Sequence, residues 1–103
     1  MIDSDQLRRD ILEDGNEDYT GLYEIIWSLN TKYPGVSREQ KVDVARKVFS
    51  ELLRENRVAV FENVWGSSKF EPVDPKTALN AVANDSAWEE PSPGPALWFA
   101  TNE

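Results

Sequence analysis

The sequence predicts an α+β domain: three helices, then a small two-stranded antiparallel sheet with a short helix inserted between its strands. Three observations carry this. Apolar residues recur at helical spacing up to about Glu55, the run Val58 to Trp65 is β-branched and aromatic, and a second apolar run, Ala96 to Ala100, follows the Pro-rich connector "EEPSPGP". Residues 1–103 fit a single domain, since a chain of this length can bury roughly 60 to 65% of its unfolded surface.

Residues 3 to 14 form the first expected helix. Asp3 and Gln6 are spaced as a capping box, Leu7, Ile11 and Leu12 share a face, and Gly15 is the expected stop. Residues 20 to 32 form the second. Leu22, Ile25, Ile26 and Leu29 make its inward face, Tyr23 and Trp27 widen it, and "YPG" at Tyr33 to Gly35 ends it. The third starts at Ser37 as N-cap with Gln40 in the capping-box position, and Val42, Ala45, Val48, Phe49, Leu52 and Leu53 keep helical period to about Glu55. After the strand Val58 to Trp65 and the turn "GSS", Asp74 is an N-cap with Pro75 at the first helical position, and Leu79 and Val82 point inward. The backbone of Ala96 to Ala100 is most simply satisfied by pairing with Val58 to Trp65.

Composition excludes several kinds of chemistry. The chain contains no Cys and no His, which removes disulfides, thiolate nucleophiles, Cys/His zinc sites and imidazole bases. No run of about 18 apolar residues exists, and "MIDSDQLRRD" has neither a basic leader nor an apolar stretch, so the expectation is a cytoplasmic protein without a membrane span or signal peptide. The net charge of −8 disfavours polyphosphate partners. It is unevenly spread: residues 1–36 hold eight acids and three bases, residues 37–69 seven bases and five acids, and residues 70–103 six acids and one base.

"ELLRENRVAVF" resembles winged-helix domains, in which a long helix ends on paired leucines, turns within two or three residues and feeds a strand. The resemblance spans Ser37 to Trp65 and implies a nucleic-acid-binding regulator. The departure is the recognition helix: between Pro34 and the strand runs one uninterrupted helix with no turn inside it. Arg46, Lys47 and Arg54 share their helix with Asp43 and Glu51, a mixed pattern typical of a solvated face. The chain is also similar to short uncharacterised bacterial proteins in which a helix ending "ELL" precedes a strand and a segment such as "WEEP", Trp88 to Pro91; no activity comes with that likeness.

"DGNEDYTG" places Asp14, Asn16 and Asp18 like the first three oxygen ligands of a calcium loop. The sixth position, where a glycine makes the sharp turn, is Tyr19, and the twelfth, where a Glu closes the shell, is Ile25, so no metal site is expected. Glu89 and Glu90 are adjacent carboxylates that point opposite ways in an extended segment, and no nucleophile or phosphate-cradling loop lies near them in sequence. Neither a catalytic residue nor a cofactor is expected.

The aromatics remain. Trp27, Phe49 and Phe61 sit on apolar faces and are expected in the core; Trp65, Phe70 and Trp88 lie at element ends, where such rings either close the core as lids or anchor a partner. The expected function is a small acidic, non-catalytic protein-binding module, such as an inhibitor or immunity-type protein covering a basic partner. The alternatives are a degenerate winged-helix regulator and an enzyme working with carboxylates alone. The expected partner surface comprises Trp65, Lys69, Phe70, Trp88, Glu89 and Glu90.

Overall fold

The chain runs α1 (Ser4–Glu17), β1 (Thr20–Gly21), α2 (Leu22–Lys32), α3 (Arg38–Arg54), β2 (Val58–Val64), β3 (Glu71–Val73), α4 (Pro75–Val82), a 3-10 turn (Asp85–Trp88) and β4 (Pro95–Thr101). This is a computed structural model that describes residues 2–64, 69–89 and 95–102. Trp65 and Glu90, the "GSS" turn and most of the Pro-rich connector lie outside the described residues.

The α+β class holds, and the four helices fall where capping and periodicity place them. The sheet differs. Among the described residues it has four antiparallel strands in the order β1-β4-β2-β3 rather than two. Its central pair is the expected one, β2 against β4, with Val60 opposite Phe99 and Phe61 opposite Trp98. Two short edges flank it: Thr20 and Gly21 pair with Phe99 and Trp98, and Glu71 to Val73 pair with Glu62 to Val60. Strands of two and three residues are too short to show alternation, and Pro72 argues against a strand except at an edge, which is where it lies.

Gly15 does not stop α1. The helix continues to Glu17, and Gly15 is buried where α1 crosses β4. A Cβ at this position would lie 2.6 Å from Thr101 Oγ1 and 2.9 Å from the Thr101 backbone N. The glycine therefore permits close approach of helix and strand. Asp14 and Asn16 are consequently helical rather than part of a calcium-type loop.

At the other end of the core, α3 closes with Asn56 at φ 59°. The Asn56 N–H donates to Leu53 O at 3.0 Å and the Arg57 N–H to Leu52 O at 2.9 Å, a Schellman pattern that turns the chain into β2 within three residues.

Leu7 and Ile11 of α1, Leu22, Ile25, Ile26 and Leu29 of α2, and Val42, Ala45, Val48, Phe49, Leu52 and Leu53 of α3 are buried against Val58, Val60 and Phe99 on one sheet face. Ala78 and Val82 of α4 and the whole of Trp88 close this core. Two aromatic assignments are corrected. Trp27 is 49% exposed, because it lies with Tyr23 on the flank of α2 rather than on the row of Ile25, Ile26 and Leu29. Phe61 is half-buried on the opposite sheet face, since alternate residues of β2 point opposite ways and Val58 and Val60 take the core side.

Candidate functional site

Phe61 and Trp98, opposed across β2 and β4, begin a continuous strip of rings on the sheet face turned away from the core. Tyr19, just before β1, meets Phe61 edge-on at 5.0 Å and stacks on Phe70, just before β3, with centroids 4.0 Å apart and planes 4° from parallel. Phe70 contacts Trp98 edge-on at 5.8 Å, Trp98 contacts Tyr23 at 6.1 Å, and Tyr23 contacts Trp27 at 4.8 Å. Six rings are thus joined without a break. Gly21 makes part of this possible: a Cβ there would collide with the Tyr23 ring at 2.3 Å.

Most of these rings shield one another, but Tyr19 and Trp27 remain 40% and 49% exposed. Both line a hollow of about 410 Å³ whose other walls include Asp14, Glu17, Asp18 and Glu24. Among the described residues no basic side chain lines it. Two of the carboxylates already serve the backbone: Asp18 Oδ1 accepts from the Tyr19 N–H at 2.7 Å, and Glu24 Oε2 accepts from the Gly21 N–H at 2.6 Å at the start of α2.

The electrostatics here are one-sided. A helix C-terminus carries the negative end of its dipole and is normally complemented by bases. The last turn of α1 has none, and Glu13, Asp14, Glu17 and Asp18 crowd it. Partial desolvation, together with the charges of Asp10, Glu17 and Glu13, pushes the Asp14 carboxyl above the usual aspartate range, against the opposing pull of Lys32. Lys32 itself is paired with Asp10.

The residues expected at the partner surface part company. Phe70 belongs to the strip. Lys69 is exposed, and its backbone carbonyl accepts from Asn63 Nδ2 at 2.6 Å. Trp88 is 1% exposed, packs edge-on against Phe49 at 6.0 Å and donates its indole N–H to Val82 O at 3.0 Å, which is the lid arrangement and leaves no ring surface for a partner. Glu89 is exposed and borders a second hollow, about 320 Å³, with Trp27, Tyr23 and Arg38.

Sequence reasoning missed Tyr19, Tyr23 and Trp98. The available signal was an aromatic residue in each of two strands expected to pair, but only the register shows that Phe61 and Trp98 are opposite one another on the outer face. Among the described residues no three His, Cys, Asp or Glu side chains stand together so as to hold a metal ion. No helix among the described residues is long and apolar enough to cross a membrane. Comparison with family models, with curated proteins and with solved structures returns no match for this chain.

Proposed function

We propose that this chain is a small cytoplasmic, non-catalytic protein-binding module, of the inhibitor or immunity type, that covers a basic surface on another protein. The observation that carries the reading is the six-ring strip, two of whose rings, Tyr19 and Trp27, line an acidic hollow. Aromatic rings supply desolvated contact area at low entropic cost, while a rim of one charge sign steers encounter with a partner of the opposite sign. The net charge of −8 acts in the same direction. The binding surface is thereby centred on Tyr19, Trp27 and Phe70, with Glu89 at its margin and Trp88 acting from below as core.

The test is quantitative binding to a partner obtained by crosslinking in the source cell and then purified. The reading expects association that slows several-fold between low and physiological salt, and slows again when Glu17 and Asp18 are changed to Lys. Salt-independent association unaffected by that reversal would defeat it, as would sequence-specific binding of duplex DNA at about 150 mM salt.

A further inference from the structure

The hollow between Tyr19 and Trp27 has the properties of a receptor for one particular side chain. Two of its exposed walls, Tyr19 and Trp27, are aromatic, and its charged walls are Asp14, Glu17, Asp18 and Glu24. One face of the Tyr19 ring is covered by Phe70, which fixes the ring's plane before any ligand arrives. Trp27 is braced edge-on by Tyr23. A cation placed here meets ring faces and carboxylates together, at a helix end whose dipole adds to the negative field.

We propose that this hollow receives an arginine side chain from a basic segment of the partner protein. The inference rests on the protein-binding reading above and names what that partner must present. A guanidinium suits the site better than an ammonium for two reasons. It is planar and weakly hydrated, so it can lie flat on an aromatic ring, and its edge carries a fork of donors that carboxylates accept in pairs. An ammonium satisfies the charge but uses neither the plane nor the fork. A bare metal ion lacks its ligand group: among the described residues no three His, Cys, Asp or Glu side chains stand together. A second copy of this chain would bring acid against acid, and nucleic acid would bring phosphate against carboxylate.

The experiment is an NMR titration of the full chain with three capped pentapeptides, Gly-Arg-Gly-Arg-Gly and its Lys and Glu counterparts. The Arg peptide is expected to shift the Tyr19 and Thr20 amides and the Trp27 indole saturably, with a Kd of about 1 mM or tighter, and the Lys peptide to bind several-fold more weakly. Asp14→Asn with Glu17→Gln should weaken the Arg peptide roughly tenfold, since each exposed charge contact is worth up to a few-fold. Trp27→Ala, at a half-exposed position, should abolish saturation while the remaining spectrum stays folded. Lys binding as tightly as Arg, shifts that survive Trp27→Ala, or shifts that follow protein concentration instead of peptide would each overturn the assignment. If the Arg peptide fails to bind while charge reversal at Glu17 and Asp18 still slows association with the purified partner, the arginine site falls and the protein-binding reading stands; if both fail, both fall.

Discussion

Two tryptophans on opposite faces of the sheet allow the worth of a single buried hydrogen bond to be measured within one fold. Trp88 is 1% exposed and its indole N–H donates to Val82 O at 3.0 Å. The indole N–H of Trp98 is shut off from solvent and has no acceptor among the described residues. Trp88→Phe removes a paired donor and strands the Val82 carbonyl, which costs about 1 to 3 kcal/mol. The smaller ring also leaves a void of roughly 40 Å³, worth about 1 kcal/mol at ~24 cal/mol per Å³. Unfolding entropy is about 2.1 cal/mol/K per residue, or ~0.22 kcal/mol/K for this chain, so each kcal/mol shifts Tm by about 4 to 5 °C. A loss of about 2 to 4 kcal/mol therefore lowers Tm by about 9 to 18 °C. Trp98→Phe removes a donor that was already unsatisfied, and the relief of about 1 to 3 kcal/mol offsets the lost contact of a half-buried ring. Its Tm should stay within about 4 °C of the parent or rise. Calorimetry of the three proteins at pH 7 decides the matter: equal losses for the two variants, or an unchanged Tm for Trp88→Phe, would refute the assignment of these two indoles.

Gly15→Ala should destabilise by about 1 to 3 kcal/mol in urea titration despite alanine's better helix propensity, because the added methyl meets the backbone of Thr101. Leu52→Ala, at a fully buried seam, should cost about 2 to 5 kcal/mol, whereas Trp27→Ala should cost no more than about 1 kcal/mol; comparable melting of the two would place Trp27 in the core after all. In acid, burial raises the Asp10 carboxyl but its bonds from Lys32 and Gln6 hold it below the usual range, and Arg8 holds Glu55 low in the same way. Depressed carboxyls contribute stability above their unfolded pKa, near about 4, and lose it as pH falls through the lower folded values. Asp14 is raised and has the opposite sign: it opposes folding at neutral pH and relieves that cost as it protonates. Denaturant titrations at pH 7 should accordingly show Asp10→Asn less stable than the parent and Asp14→Asn more stable, a difference that shrinks as pH is lowered below about 4.

Much of the helical frame was legible because its signals are local. Asp3, Ser37 and Asp74 each accept a bond from the first turn of the helix they precede, as their positions before apolar periods imply. The pairing of Val58–Val64 with the C-terminal apolar run was legible because few other segments could satisfy that backbone. What stayed hidden depends on distant partners. Gly15 has the same appearance in sequence whether it ends a helix or admits a strand, and only Thr101 lying against it distinguishes the two. Trp27 fits a broad apolar helix face equally well as core or as flank, and the ring of Trp98, far along the chain, makes its neighbour Tyr23 part of a surface strip. Trp88 looked like a candidate anchor because it precedes the connector, yet a short 3-10 turn carries it inward to Phe49.

The edges of the sheet explain why recognition is assigned to its face. A partner can extend a sheet only where an edge strand offers a row of free N–H and C=O groups. Here one edge is β1, two residues long, and the other is β3, three residues long with Pro72 at its centre contributing no N–H. Neither can template a further strand of useful length. Helices α1, α2 and α3 cover the opposite face with the apolar core, so among the described residues the surfaces open to a partner are the outer helix faces and the ring-bearing sheet face. The outer face of α3 carries Arg46, which is tied to Asp43 and Asp85. The ring-bearing surface differs in kind: its rings are matched to one another, but the acids around Tyr19 and Trp27 are matched to no base among the described residues that line the hollow. Uncompensated charge beside preorganised aromatic surface costs stability in the free protein and is recovered when a cation binds, which is why the acidic hollow, rather than the rings that only pack on one another, is where a partner's contribution should be largest.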